Sequence, residues 1–291
     1  MLKKILNFLI VTMITPNVFS HQGAHEVMRL SDLKQYTTLL VDIVGVIYDG
    51  ITPYPDAIHA INSTHERGGV RTIFVSNNPR PSLLSQTNLK RMGLKEDLSV
   101  VTSGDYTRWY LNQHYTGKTV YHFGARGNHD ILKDIDIFTT DDIYQADVVL
   151  LTQFLEEHEG PEQFDSILSD IALSQKPIFC ANPDEYACYG AELRKCAGYF
   201  AKKIEGFGGN VTYLGKPNPE FYEYVCMTAN LDTGHKETFL MIGDTVETDI
   251  QGAKNFGIDS LLVLTGITAH FNKNAVYEYS FQPSFYIKKL I

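Results

Sequence analysis

The chain reads as an α/β protein, a doubly wound parallel sheet with a second α/β domain inserted in it. Three observations predict this. Apolar runs recur that end abruptly in polar residues: 39–41 before Asp42, 73–75 before Ser76 and Asn77, and 239–242 before Gly243 and Asp244. Continuous apolar runs with β-branched members are the pattern of strands buried on both faces, as in a parallel sheet. These runs alternate with segments of helical period, which is the signature of strand–helix–strand units. Between the second and third polar strand ends lies a further strand–helix series of about one hundred residues, enough for a domain.

Taken in order, residues 28–36 predict a short lead-in helix before the first strand. Pro55 suits a first helical turn, and Ala57, Ile58 and Ile61 share a face, so a helix is expected over 55–67, ended by Gly68-Gly69. A strand over 71–76, a helix over 81–92 and a third strand over 98–101 follow, the last running into Thr102-Ser-Gly-Asp105. In the inserted series, 119–123, 147–152 and 177–181 are expected strands and 126–132, 162–173 and 192–203 expected helices. The first domain resumes near Gly209 with a short strand from Val211 that ends in Gly215 and Lys216. A helix over 217–227, the strand before Asp244, a helix over 246–256, a strand over 260–264 and a last edge strand over 281–287 complete it. The expected boundaries are 29–105 with 209–291 for the core and 106–208 for the insert.

The composition is that of an ordinary globular protein, with 291 residues, 44% hydrophobic and 20% charged. A net charge of −9 argues against a nucleic-acid footprint. Residues 1–20 differ from the rest. Lys3 and Lys4 precede an apolar run over 5–14, and Val18-Phe-Ser20 offers a cleavage point. This is the pattern of a secretory signal peptide, which predicts a periplasmic or secreted protein over a cytoplasmic one. An amphipathic N-terminal helix, or a start at Met28, is the other reading. The run is shorter than the ~20 apolar residues of a membrane span, so no stable membrane anchor is expected. Cys180, Cys188, Cys196 and Cys226 lack zinc-pair spacing. Cys188 and Cys196 are candidates to pair in an oxidising compartment, and buried free thiols are the favoured reading.

If the four strands with polar ends are parallel neighbours, Asp42, Ser76, Asn77, Lys216, Asp244 and Asp249 converge on one edge. Open α/β sheets bind ligands at the carboxyl ends of their strands. Clustered carboxylates suit a hard divalent cation, and a lysine and a serine suit phosphate oxygens.

These stretches, in this order, resemble the haloacid dehalogenase-like (HAD) hydrolase superfamily. Gly215-Lys-Pro-Asn-Pro219 and Gly243-Asp-Thr-Val-Glu-Thr-Asp249 are specific in combination. The resemblance spans most of the chain and is greatest to the class IIA branch, whose α/β cap lies between the second and third motifs. That branch includes sugar, nucleotide and pyridoxal phosphate phosphatases. It implies an HAD-like core with a cap, Mg2+ as cofactor, a small phosphorylated metabolite as substrate and, through the caps, a homodimer. Most of this family is intracellular, against the reading of residues 1–20. By resemblance, Asp42 is the nucleophile and forms an aspartyl-phosphate, while Lys216 neutralises it and the phosphoryl group. Ser76 and Asn77 donate to that group. Asp42, Asp244, Asp249 and the backbone carbonyl of Val44 serve the metal. Asn182 and Asp184, in the cap segment Ala181-Asn-Pro-Asp184, are candidate specificity residues.

Val44 departs from the pattern. Most phosphatases of the superfamily carry an aspartate there, which protonates the leaving oxygen and then activates water, and valine can do neither. Gly45-Val-Ile-Tyr-Asp-Gly50 resembles a subgroup with an apolar residue at this position, and Asp49 lies close in sequence. Two functions follow: a phosphatase slow on alkyl phosphates, or a phospho-ligand binding protein that kept the site and lost turnover.

Overall fold

The computed structural model describes residues 23–95, 99–156, 159–271 and 282–291. The stretch read as a signal peptide lies outside them. No helix among the described residues is long and apolar enough to cross a membrane.

Four strands come first: β1 (His25–Glu26), β2 (Thr38–Val41), β3 (Arg71–Ser76) and β4 (Ser99–Thr102). Seven follow: β5 (Thr119–Gly124), β6 (Phe138–Thr140), β7 (Val148–Thr152), β8 (Ile178–Cys180), β9 (Tyr186–Tyr189), β10 (Glu192–Lys195) and β11 (Val211–Tyr213). The last three are β12 (Phe239–Gly243), β13 (Asp259–Val263) and β14 (Phe285–Ile287). The helices are α1 (Pro55–Glu66), α2 (Ser82–Arg91), α3 (Ser103–His114), α4 (Asp165–Leu173), α5 (Ala197–Gly206), α6 (Pro219–Thr228), α7 (Gln251–Phe256) and α8 (Gly266–Phe271).

The core is an all-parallel sheet in the order β1-β14-β13-β12-β2-β3-β4. β2 and β12 are neighbours, with Val41 opposite Ile242. From β2 the chain winds outward to β3 and β4, and from β12 the other way to β13 and β14. The crevice at their carboxyl ends is therefore the topological switch point, where such sheets bind ligands. Both strands are buried along their whole length, because alternate residues pack on opposite faces. Leu40 and Met241 join Ile73 and Val75 on one face, and Leu39, Val41, Leu240 and Ile242 join Phe74 on the other.

The cap sheet is also parallel, in the order β11-β8-β7-β5-β6, with β9 and β10 as a separate antiparallel hairpin. Core and cap share apolar packing: one buried cluster runs from Leu40 through Tyr106 and Leu111 of α3 and Phe221 of α6 to Leu150 and Phe179 of the cap.

Several sequence expectations change. The strand at Val211 pairs with β8 in the cap sheet, with Val211 opposite Ile178, so it is no neighbour of β2. Lys216 reaches the core edge from the segment after the cap, and the second boundary falls beyond Tyr213 instead of at 209. The first boundary, 105/106, would cut α3, which is one helix closed by a capping box. Thr102 Oγ1 accepts from the Asp105 N–H, and Asp105 Oδ2 accepts from the Thr102 N–H, both at 3.1 Å. The helix expected over 192–203 is strand β10 followed by α5. The lead-in helix is a single 3-10 turn, Leu30–Asp32. β14 is flanked by β1 and β13, so it is not the sheet edge. The four cysteines are free and buried.

Candidate active site

Asp42 follows β2 directly, and its N–H donates to the Ile242 carbonyl at 2.8 Å, so the ladder to β12 extends one step past the strand. Asp244 follows β12, the neighbouring strand. Asp249 lies in a single π turn, Val246–Ile250, that opens α7. Carboxylate oxygens of Asp42, Asp244 and Asp249 lie within 4.8 Å of one another, and all three residues are buried.

Lys216 enters this cluster, 1% exposed. Its Nζ donates to Asp42 Oδ1 at 2.5 Å, to Asp249 Oδ1 at 2.6 Å and to the Val75 carbonyl at 3.2 Å. Burial works against the ammonium, but Asp249, Asp42 and Asp184 outweigh it and hold its pKa well above the ordinary lysine value. Burial likewise raises the Asp42 and Asp244 carboxyls; Lys216 opposes this at Asp42, where Asp249 adds to it, and the Asp42 and Asp249 charges add to it at Asp244. Three crowded carboxylates facing one lysine leave an excess of buried negative charge. That donor set, all oxygen, fits a hard divalent cation.

The start of α8 and the turn after Asp42 close around Asp244. Its Oδ2 accepts from the Ile267 N–H at 2.6 Å, and its carbonyl accepts from the Thr268 hydroxyl. Thr265 Oγ1 donates to the Gly45 carbonyl at 2.6 Å, tying the turn after Asp42 to the same segment. Gly45 and Gly266 close on the carboxylate from two sides. A Cβ on either would stand about 2 Å from Asp244 Oδ2, and both have positive φ, so only glycine fits. The sequence reading missed the 265–268 segment. Its one sign was Thr265-Gly266 just past an apolar strand.

The cap contributes Asp184. Asn182 Oδ1 accepts from the Asp184 N–H at 3.1 Å, a local turn after β8, and Asp184 Oδ1 accepts from Asn77 Nδ2 at 2.9 Å. Asn77 also brackets Lys216, accepting from its N–H at 2.8 Å and donating to its carbonyl at 3.1 Å. The Asn77 side chain, expected to serve phosphate, is thus occupied in joining β3, the cap loop and the lysine. Ser76 Oγ accepts from the Asn78 N–H at 3.2 Å.

Asp42, Val44, Ser76, Asn77, Lys216 and Asp249 line one cavity of about 400 Å3, and Asn182 and Asp184 close it from the cap. Asp244 lies beneath it, within the carboxylate cluster. Asp49 is absent from the lining. Its Oδ1 accepts from the N–H groups of Ile51 and Thr52 at 2.9 and 2.6 Å, so it is a turn residue. Two arginines hold the cap segment after β5. Arg80 pairs with Asp130 at 3.0 Å, and Arg108 donates to the carbonyls of Asp130, Ile131 and Lys133.

A buried carboxylate cluster with one lysine, at the switch point of a parallel sheet and under an α/β cap, defines a capped α/β hydrolase. Residues 39–138 match the haloacid dehalogenase-like hydrolase family, and residues 213–291 match a second, HAD-hydrolase-like family. The acid sugar phosphatase of Staphylococcus aureus is 26% identical over 257 residues, spanning 86% of this chain and 96% of that protein. Its Staphylococcus epidermidis counterpart is 27% identical over 82% of this chain and 90% of that protein. Among solved structures, a haloacid dehalogenase-like family hydrolase from Brucella suis superposes with a TM-score of 0.80 at 28% identity, over 91% of this chain and all of that one. A possible sugar phosphatase from Cytophaga hutchinsonii shares the fold, with a TM-score of 0.76 at 21% identity, over 92% of this chain and 98% of that one. The chain belongs to the haloacid dehalogenase-like hydrolases.

Proposed function

We propose that this hydrolase is an Mg2+-dependent phosphatase acting on a small phosphorylated metabolite through an aspartyl-phosphate on Asp42. The observation that carries this is the buried pair of Asp42 and Lys216, 2.5 Å apart at the floor of the cavity. An Asp42 oxygen is the nucleophile. Lys216 neutralises phosphoryl charge in a site shielded from water, where such a charge counts for more than in bulk solvent. The Ser76 hydroxyl, on the cavity wall, is the phosphoryl donor. Asp42, Asp244, Asp249 and the Val44 carbonyl would hold the metal, which when bound offsets the carboxylate excess and phosphoryl charge. A cavity of about 400 Å3 closed by Asn182 and Asp184 suits a metabolite, not a macromolecule. The names of the staphylococcal relatives point to sugar phosphates.

The test is phosphate release from a panel of sugar phosphates and from p-nitrophenyl phosphate, with and without Mg2+. Turnover should require Mg2+, and Asp42→Asn should lower kcat by at least ~10⁴-fold, as expected when a nucleophile is removed. Saturable binding of these esters without turnover would instead support a phospho-ligand binding protein, the function that Val44 favours.

A further inference from the structure

Valine at position 44 leaves the phosphatase reading without a proton for the departing oxygen, so the cavity must supply it from elsewhere. Asp49 is bound in its own turn. Asp184 belongs to the cap loop and accepts from Asn77 at 2.9 Å. Glu156 faces Arg194 at 3.5 Å. Tyr48 stands on the cavity wall beside Val44 itself. Tyr48 bridges Val44 in register, and its carbonyl accepts from the Gly45 N–H at 2.7 Å. A second bridge, to Pro53, fixes it from the other side. The ring packs on the buried cluster of Val41, Val46 and Ile47 and lines the cavity with Asp42 and Val44. No hydrogen bond ties its hydroxyl to another group among the described residues.

We propose that the Tyr48 hydroxyl meets the leaving oxygen and is the catalytic donor that position 44 lacks. This rests on the phosphatase reading above. In the first step a bond forms between an Asp42 oxygen and phosphorus while the bond from phosphorus to the ester oxygen breaks. The bonding pair stays on that oxygen, the Tyr48 proton moves to it, and the alcohol leaves. In the second step water bonds to phosphorus and its proton passes to the Tyr48 phenolate. The bond between phosphorus and Asp42 breaks, which restores the carboxylate and releases phosphate. The slow alkyl-phosphate hydrolysis expected from Val44 alone then does not occur.

The experiment is kcat/KM for a sugar phosphate and for p-nitrophenyl phosphate in the full chain with Mg2+, in native protein and in Tyr48→Phe. Phenylalanine keeps the ring and its packing. The sugar phosphate should lose about 10²-fold, in the range of a missing general acid. The p-nitrophenyl ester, whose leaving group needs no proton, should lose no more than about 3-fold. Tyr48→His, which retains a donor, should recover part of the sugar-phosphate activity. Equal losses on both esters, or an undiminished sugar-phosphate rate, would overturn the role of Tyr48 while leaving the phosphatase reading in place. A native protein that hydrolyses neither ester would overturn both.

Discussion

At the carboxyl edge of the core sheet, three carboxylates and an ammonium are buried together. Near the carboxyl ends of the cap strands β5 and β7, the half-buried His122 and the buried Thr152 meet with no charge at all. His122 Nε2 meets Thr152 Oγ1 at 2.6 Å, and Thr152 lines the cavity from above. Burial, with His129 beside it, pushes the His122 pKa down to about 4, so the imidazole is neutral. The core edge retains charges in a place where ionisation is costly, and the cap edge sheds them. Buried ions need partners of opposite sign and weaken the fold when one is removed, whereas a neutral hydrogen bond needs only its acceptor. The core edge is thus organised for a ligand and the cap edge for a wall.

The largest test of that contrast is Lys216→Met. It leaves three carboxylates without their ammonium, so stability should fall by about 3–5 kcal/mol, as when one partner of a buried ion pair is removed. Urea unfolding of the metal-free proteins measures it. A loss below about 1 kcal/mol would show that the carboxylates do not depend on the lysine.

Asp244→Asn should act in the opposite direction. Asparagine keeps the shape and can still accept from the Ile267 N–H, but it removes one of the crowded charges. The metal-free variant should melt higher, by about 5 °C for a gain near 2 kcal/mol in a chain of this size. It should also lose both turnover and any thermal shift that Mg2+ produces in the native protein. An equal Mg2+ shift in the variant would place the cation elsewhere.

The contrast was half legible in the sequence. The core edge could be read because β2, β3 and β12 are long apolar runs with abrupt polar ends, and pattern alone fixes where such strands stop. Lys216 was found for an incomplete reason. The three residues of β11 carry no sign of which sheet they join, since pairing with β8 is a long-range choice. The hairpin was misread because Glu192, Leu193, Arg194 and Lys195 are good helix formers. Pairing with β9 overrides that preference, and the hairpin docks on the core turn, where the Gly190 N–H donates to the Asp49 carbonyl at 2.8 Å. Tyr48 and the 265–268 segment could not be seen, because their closeness to Asp42 and Asp244 exists only once the loops are folded together.

The smallest expected effect belongs to the cap edge and is read by pH. His122 has a folded pKa of about 4 against an ordinary value of 6.5. Its neutral form therefore supports the fold fully above pH 6.5. Below that the unfolded chain takes up a proton that the folded chain refuses, and stability falls until pH reaches about 4. Asp42 and Asp244 move the other way, because their raised values mean the metal-free folded state binds protons more readily as pH falls. Comparing native protein with His122→Gln cancels the carboxylates and isolates the histidine. Between pH 7 and pH 5 the native protein should lose about 1–2 kcal/mol more than the variant, from a slope of at most ~1.4 kcal/mol per pH unit. Urea unfolding at the two pH values measures this. Parallel losses in the two proteins would mean that His122 takes its proton in the folded state, and that the cap edge holds a charge after all.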